Sequence, residues 1–202
     1  MTRTTNARLA GFTFLVYIAA GVAGMAFAAG ALVGVVLSLV MCFSALVLGV
    51  TLYAITREED RDLAMLGLAC RVGEGVLGAM FLPMGLALRT LGTRAPDAPD
   101  AAAIQALGAL LVKARGFNVT LGATFFAVGS LLFCWLLLRG RMIPAALAWL
   151  GVVASVLLVV GLPLQLAGLV HGPVAQLMWL PMAAFEIPVA FWLIVKGVRN
   201  TP

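Results

Sequence analysis

The stretch Arg71-Val-Gly-Glu74-Gly-Val-Leu-Gly78 places an arginine and a glutamate near the middle of a run that is otherwise apolar from Leu63 to Leu88. A run of this length predicts a membrane-spanning helix, since about 20 apolar residues cross the hydrocarbon core of a bilayer. An ionisable side chain at that depth costs roughly 2.5–3.5 kcal/mol on insertion scales. We therefore expect these two residues to face the interior of a helix bundle and to have partners there.

Composition extends the same argument to the whole chain. Hydrophobic residues make up 63% and charged residues 10% of the sequence, and the mean hydropathy is +1.12. A soluble domain has about 45–50% apolar and 25% charged residues. The sequence predicts an all-α polytopic membrane protein in which residues 1–202 form a single transmembrane domain, embedded in the lipid bilayer.

The apolar runs define a bundle of six transmembrane helices. Gaps that contain charged residues, prolines or glycines separate them, as expected for connections. The predicted spans are 9–29, 31–55, 63–88, 117–138, 144–170 and 174–195.

Two segments allow two interpretations each. Residues 1–29 resemble a secretory signal peptide, but their apolar run is longer than the 7–15 residues of a signal core, so we treat it as the first span. The segment from Ala101 to Ala114 is apolar at helical spacing, which predicts either a short surface helix before span four or the exposed start of that span.

Basic residues predict the orientation. Lys and Arg on alternate sides of the spans number eight against four, and the richer side is expected to be cytoplasmic. Both termini lie on that side, which predicts a multi-pass inner-membrane protein with cytoplasmic ends. The eight are Arg3, Arg8, Arg57, Arg61, Arg139, Arg141, Lys196 and Arg199, and the four are Arg89, Arg94, Lys113 and Arg115.

Counting the helical rise from these charged ends indicates a polar layer. At 1.5 Å per residue, Arg71 and Glu74 lie about 14 and 18 Å from Asp62, and Glu186 lies about 15 Å from Lys196 on an antiparallel span. Polar residues of other spans fall at similar depths, so five of six spans contribute to one layer. We predict a ligand-binding layer of Arg71, Glu74, Glu186, Tyr17, Ser44 and Ser130.

Prolines and small residues predict two further features. Pro181 and Pro188 should interrupt span six on either side of Glu186 and free carbonyl groups near it. Gly30, Gly34 and Ser38 recur at four-residue spacing in span two, which favours close packing of two helices in lipid.

Other patterns exclude several classes of site. Gly73 to Gly78 matches the dinucleotide fingerprint G-x-G-x-x-G but lies within a span, where no strand precedes it. His171 is the only histidine, and the three cysteines are far apart, so no cofactor or metal site is predicted. No patch of basic residues with interleaved aromatics indicates nucleic acid, and nothing nominates a nucleophile for an enzyme.

A set of short motifs, in order along nearly the whole chain, resembles a known family. They are Arg8-Leu-Ala-Gly11, Arg71-x-x-Glu74, Gly116-Phe-Asn118, Phe185-Glu186 and Trp192-Leu-Ile-Val-Lys196-Gly197. The chain resembles the uncharacterised bacterial membrane-protein family catalogued as domain of unknown function four-three-eight-six. This resemblance implies a six-helix bacterial inner-membrane protein and brings no established activity, substrate or catalytic residue.

Two functions follow from these observations. In the first, the protein binds or translocates a small molecule, a lipid or a proton at the Arg/Glu layer. In the second, it is a non-enzymatic interaction or scaffold subunit whose buried charges only fix helix packing. The sequence is compatible with both.

Overall fold

A computed structural model describes residues 2–26, 31–92 and 101–199. Within these ranges six helices are long and apolar enough to cross a membrane, and no strand is present. The predicted six-helix transmembrane fold is confirmed. The helices are α1 (Arg3–Ala26), α2 (Ala31–Thr56), α3 (Arg61–Gly92), α4 (Ala101–Arg139), α5 (Ala145–Leu166), α6 (Pro173–Leu177) and α7 (Leu180–Val195).

The six spans form a closed ring. Each of the first five packs against the next along the chain, and α7 packs against both α5 and α1. The contact between α1 and α7 is close: a methyl group added at Gly11 would lie 2.5 Å from the carbonyl oxygen of Ala190. Because the ring is closed, side chains that point inward from several helices meet at its centre.

The outside of the ring is apolar, as a bilayer requires. Large exposed side chains on different spans include Phe12, Val50, Val76, Trp149 and Phe191. Several polar side chains are instead buried, and Arg71 is the largest side chain in the structure that is almost fully buried. This arrangement places polar groups inside and hydrocarbon outside, so the protein is an integral membrane protein.

One end of the ring, which we call the terminal end, holds both ends of the described chain. Arg3 pairs with Glu58 at 3.6 Å, and Arg139 pairs with Asp60 at 3.5 Å. The backbone amide of Arg199 donates to the carbonyl of Met142 at 3.0 Å. The basic group of eight residues therefore gathers at one end, as predicted. Arg94 and the side chain of Arg89, from the opposing group, lie outside the described residues.

Asp60 caps the start of α3. The side chain of Asp60 accepts a hydrogen bond from the amide of Leu63 at 3.1 Å, and Asp62 lies in the first turn. Acidic groups at a helix N-terminus satisfy free amides and favour the helix dipole. This cap fixes the start of the helix that carries Arg71 and Glu74.

The helix α4 corrects one prediction. No separate surface helix precedes span four, because α4 is continuous over 39 residues and is about 58 Å long at the α-helical rise. The interval from 101 to 116 contains no proline, so nothing in it ends the helix. Residues 101–116 are the exposed start of span four, which was the other interpretation.

The last two spans differ from the prediction at the end of the ring opposite the terminal end. Span five ends at Leu166 instead of 170, three residues after Pro163. Span six is divided into α6 and α7 at Met178 and Trp179. Pro181 lies in the first turn of α7, where a proline is tolerated, and has no N–H to donate to the carbonyl of Leu177. The predicted interruption at Pro188 is wrong, because α7 continues through it.

The predicted small-residue contact in span two is also wrong where it can be tested. Ser38 donates a hydrogen bond to the carbonyl of Gly34 within α2, and no atom lies within 4 Å of the position a methyl group would take at Gly34. Gly30 lies outside the described residues. Close approach of α2 to its neighbours occurs at Gly49 instead.

Candidate functional site: a buried arginine and two glutamates

Arg71 lies at the centre of the ring, where its helix is approached closely by two others. A methyl group at Gly49 of α2 would lie 2.9 Å from Arg71 Cβ, and one at Gly129 of α4 would lie 3.4 Å from Arg71 Cδ. The arginine side chain is 2% exposed. Glycines on two neighbouring helices thus provide the space that its long stem occupies.

The guanidinium of Arg71 has one carboxylate partner on its own helix. Arg71 Nη1 lies 2.8 Å from Glu74 Oε2, a spacing that places both residues on one helix face. The hydroxyl of Tyr17 on α1 donates to the other oxygen, Glu74 Oε1, at 2.7 Å. Glu74 therefore has a hydrogen-bond partner at Oε1 and an ion-pair partner at Oε2, and Oε2 has no hydrogen bond among the described residues.

Two aromatic rings lie under the guanidinium. Arg71 Cζ is 5.3 Å from the centroid of the Tyr17 ring and 5.1 Å from that of Phe126 on α4. The two rings are parallel to within 2°, with centroids 6.3 Å apart. Contacts of this kind between a cation and ring faces are worth about 2 kcal/mol or more when they are desolvated.

A third aromatic ring continues this stack. The Trp179 ring centroid lies 6.0 Å from that of Phe126, at an interplanar angle of 34°. Trp179 is the residue at which span six is broken. We call Tyr17, Phe126 and Trp179 the aromatic stack.

Glu186 of α7 is the second carboxylate of the site. It is 7% exposed, and its Oε1 has no hydrogen-bond partner among the described residues. Arg71 Nε and Nη2 likewise have none. Both side chains line a cavity of about 20 Å³, which is room for one water molecule.

The walls of this cavity are mostly apolar. They come from α1, α2, α3, α4 and α7, and the polar contributions other than Arg71 and Glu186 are the hydroxyl of Ser130 and the thiol of Cys134. The apolar lining residues are Phe14, Leu52, Phe133, Leu137, Phe185 and Val189.

Five of the six predicted site residues therefore lie together. Arg71, Glu74 and Tyr17 are in direct contact, and Glu186 and Ser130 share the cavity with Arg71. Ser44 does not join them, because it lines a separate apolar groove between α1 and α2 together with Thr13. Ser44 lies at the depth of the layer, but its side chain is on the side of α2 that lines this groove.

Sequence reasoning missed the aromatic residues and glycines of the site. Phe126, Trp179, Gly49 and Gly129 all occur within apolar runs, where such residues are common and give no distinct signal. Their partner is the arginine, and only the fold shows which helices face it. Across the described residues, no three His, Cys, Asp or Glu side chains are grouped so as to hold a metal ion.

Comparison with known proteins agrees with the motifs that the sequence contains. No curated protein and no solved structure matches the chain. The family model described as Domain of unknown function (DUF4386) matches residues 22–197, which include every span in whole or in part and all of the site except Phe14 and Tyr17. The chain belongs to this family.

Proposed function

We propose that the protein binds and releases a proton at Glu186, within the layer formed with Arg71, Glu74 and Tyr17. The observation that carries this proposal is the buried Glu186 oxygen without a partner, in a one-water cavity shared with the guanidinium of Arg71. The nearby guanidinium favours the ionised form of a carboxyl group in such a place, whereas burial at membrane depth favours the neutral form.

The charges of the layer explain how the two states compete. Glu74 already takes Arg71 Nη1 and the Tyr17 hydroxyl, so this pair is neutral as a unit. An ionised Glu186 adds one net negative charge at membrane depth, which is costly. The free Nε and Nη2 groups of the same arginine offset that cost. Opposing effects of this kind allow a group to exchange a proton.

Among the described residues, the other groups that line the cavity with Glu186 carry no charge to alter this balance. They include Leu52 of α2, Ser130 and Cys134 of α4, and Phe14 of α1. The charged residues of the site are thus the arginine and the two glutamates. Protonation of Glu186 is the step that makes the whole layer neutral.

The size of the cavity favours a proton over a larger ligand. A space of about 20 Å³ holds one water, whereas sites for small molecules are commonly about 300–1,000 Å³. A lipid chain or a metabolite does not fit between Arg71 and Glu186 in this conformation. A water molecule there can bridge Arg71, Glu186 and Ser130 and carry a proton.

A second function is supported by a different observation. Gly49 and Gly129 leave Arg71 almost no free space, so the arginine fixes how closely α2, α3 and α4 approach. In this alternative the protein is a non-enzymatic interaction or scaffold subunit, and the charges only set helix packing. The two functions differ in whether Glu186 changes its protonation state.

Infrared difference spectroscopy distinguishes them. Purified protein in lipid is compared between acidic and alkaline buffer, and the carbonyl band of a protonated carboxyl group is followed. We expect a band in the parent chain that disappears in Glu186→Gln and persists in Glu58→Gln, a control at the exposed Arg3–Glu58 pair. A spectrum in which Glu186→Gln removes no band contradicts proton binding and favours the scaffold.

We also propose that the terminal end faces the cytoplasm of a bacterial inner membrane. The excess of Lys and Arg at this end supports that orientation. Fusion of a reporter that is active only in the cytoplasm to the C-terminus tests it. Activity of that reporter is expected, and activity of a periplasmic reporter at the same position would contradict the orientation.

A further inference from the structure

A groove on the outer surface of the ring, between α1 and α2, is much larger than the cavity at Glu186. Its volume is about 440 Å³, which lies within the range of about 300–1,000 Å³ for small-molecule sites. Phe12 of α1 and Phe43 of α2 line it and are 61% and 64% exposed, so the groove opens toward the bilayer. A hydrophobic occupant can therefore enter it from the side.

The groove has the dimensions of one lipid chain. Along α2 it is lined from Val36 to Val47, a length of about 17 Å at the α-helical rise. One leaflet contributes half of the hydrocarbon core of a bilayer, which is about 15 Å. Apart from the hydroxyl groups of Thr13 and Ser44, the walls are apolar. This shape and polarity suit an acyl chain that runs along the helices within one leaflet.

A basic residue without an acidic partner lies where the groove approaches the terminal end. Arg8 directly precedes Leu9 of the groove wall, and Phe12 lies one turn farther along the same face of α1. The Arg8 side chain is exposed and makes no ion pair with a described residue, while Glu58 at the same end pairs with Arg3. A guanidinium binds phosphate groups through charge-assisted hydrogen bonds. Its charge therefore favours an anionic headgroup at this end of the groove.

Ser44 provides a second polar contact inside the groove. Its side chain is 6% exposed, yet its hydroxyl makes no hydrogen bond with a described residue. The other hydroxyl of the groove, that of Thr13, donates to the carbonyl of Leu9 at 2.8 Å. Because buried polar groups normally have a hydrogen-bond partner, the Ser44 hydroxyl is left to donate to an acceptor on the molecule that occupies the groove. The ester carbonyl of a lipid is such an acceptor.

We propose that the groove between α1 and α2 binds one anionic phospholipid. Its acyl chain lies along the apolar walls, its phosphate pairs with Arg8, and an ester carbonyl accepts a hydrogen bond from Ser44. This site is separate from the proposed function, because none of the residues that line the groove lines the cavity at Glu186. Lipid binding at the groove therefore stands or falls without regard to proton binding in the layer.

The first test compares two lipids on the purified parent chain in detergent. Phosphatidylglycerol and phosphatidylcholine with the same acyl chains are titrated separately, and native mass spectrometry gives the dissociation constant of the first bound lipid. We expect phosphatidylglycerol to bind about fivefold more tightly, which is the effect of one basic residue at an anionic surface. Equal affinities overturn the headgroup assignment, and a dimer that excludes lipid overturns the lipid and assigns the groove to a second copy of this chain.

The role of Arg8 is tested by Arg8→Gln. This variant is expected to bind both lipids with equal affinity, because the change removes a charge at an exposed position and leaves the groove walls intact. Arg141→Gln is the matched control, since Arg141 is an exposed arginine at the same end, in the turn between α4 and α5, and it should keep the preference. A preference that persists in Arg8→Gln, or that disappears equally in Arg141→Gln, overturns the contact with Arg8.

The contact with Ser44 is tested by changing the lipid as well as the protein. An ether-linked phosphatidylglycerol has the same charge but no ester carbonyl, so it should bind the parent chain about fivefold more weakly than the ester form. Ser44→Ala should bind the two forms with equal affinity. A preference for the ester form that is undiminished in Ser44→Ala overturns the hydrogen bond.

The groove itself is tested by filling it. Val47→Phe places a ring in the groove and should lose the first bound lipid of either headgroup. Val153→Phe, at a position on α5 that is 59% exposed, should bind lipid as the parent does. Parental affinity for phosphatidylglycerol in a Val47→Phe protein that still elutes as a folded species overturns the groove as the lipid site.

Discussion

Arg71 Nη1 lies 2.8 Å from Glu74 Oε2, one turn along the same helix, while Arg71 also lines a one-water cavity together with Glu186. Arg71 is thus the cation nearest to two carboxylates, Glu74 and Glu186, and these two differ in how many other partners they have. Glu74 has the Tyr17 hydroxyl as well, and Glu186 has an oxygen with none. Substitutions at Arg71 and Glu74 should therefore change the free energy of unfolding by different amounts.

Removal of the Arg71 charge should lower the free energy of unfolding more than removal of the Glu74 charge. Arg71→Gln leaves two buried carboxylates without a cation, and we expect it to lower the free energy of unfolding by about 3–5 kcal/mol. Glu74→Gln should cost less, because Arg71 retains Glu186. Denaturation in detergent micelles measures both values, and equal losses would contradict the inequality.

The surface pair Arg139–Asp60 is the control for this comparison. Arg139 Nη1 lies 3.5 Å from Asp60 Oδ2, and the two side chains are 53% and 31% exposed. Arg139→Gln should therefore change the free energy of unfolding by no more than about 1 kcal/mol.

The Tyr17 hydroxyl should stabilise Glu74 separately from its ring. Tyr17→Phe removes the 2.7 Å hydrogen bond but keeps a ring under Arg71. Because the acceptor is a carboxylate, we expect a loss of about 1.5–3 kcal/mol in the free energy of unfolding. Tyr53→Phe on α2 removes the same atom away from the layer and serves as control. A loss at Tyr53 as large as that at Tyr17 would count against the bond.

Glycines around Arg71 should tolerate no methyl group. Gly49→Ala places Cβ 2.9 Å from Arg71 Cβ, and overpacking of this kind costs about 1–3 kcal/mol. Gly34→Ala on the same helix meets nothing within 4 Å and should be neutral or stabilising by up to about 1 kcal/mol, since alanine favours a helix. Thermal unfolding of the two variants compares them directly. A Gly49→Ala protein as stable as its parent would refute close packing on the arginine.

The sequence predicted the depth of the site well because a membrane fixes the axial position of each helix. Once charged ends mark the surfaces, the helical rise converts residue numbers into distances, and Arg71, Glu186 and Ser130 meet as predicted. The direction of each side chain around its helix was not available in the same way. Ser44 has a suitable depth, yet it faces the groove between α1 and α2.

The remaining differences have similar causes. Whether residues 101–116 lie on the surface or continue α4 depends on contacts beyond that segment, and the apolar spacing is the same in both cases. Pro181 lies in the first turn of α7, just after the break, whereas α7 continues through Pro188. The sequence does not mark where α7 begins, so it does not distinguish the two prolines. Phe126 and Trp179 gained a role only when the fold placed them beside Arg71 and each other.

Ser130 and Ser44, the two serines of the predicted layer, provide a matched pair of variants that tests which of them lines the cavity. Ser130→Ala changes the polar lining of the cavity, so the infrared carboxyl band assigned to Glu186 should shift. Ser44→Ala removes the same atom from a groove that does not contain Glu186, so the band should stay in place. A shift in Ser44→Ala of equal size would contradict the assignment of the cavity.

The central claim is that Glu186, and not Glu74, exchanges a proton. The chain contains four glutamates, of which Glu58 and Glu59 lie in the loop between α2 and α3. Carbon-13 NMR of protein labelled only at glutamate carboxyl groups resolves them as pH changes, with Glu186→Gln providing the assignment. We predict that the Glu186 signal moves between its carboxylate and carboxylic acid positions while the protein stays folded, and that the Glu74 signal remains at the carboxylate position. A Glu186 signal that stays fixed over the whole folded range would contradict the account.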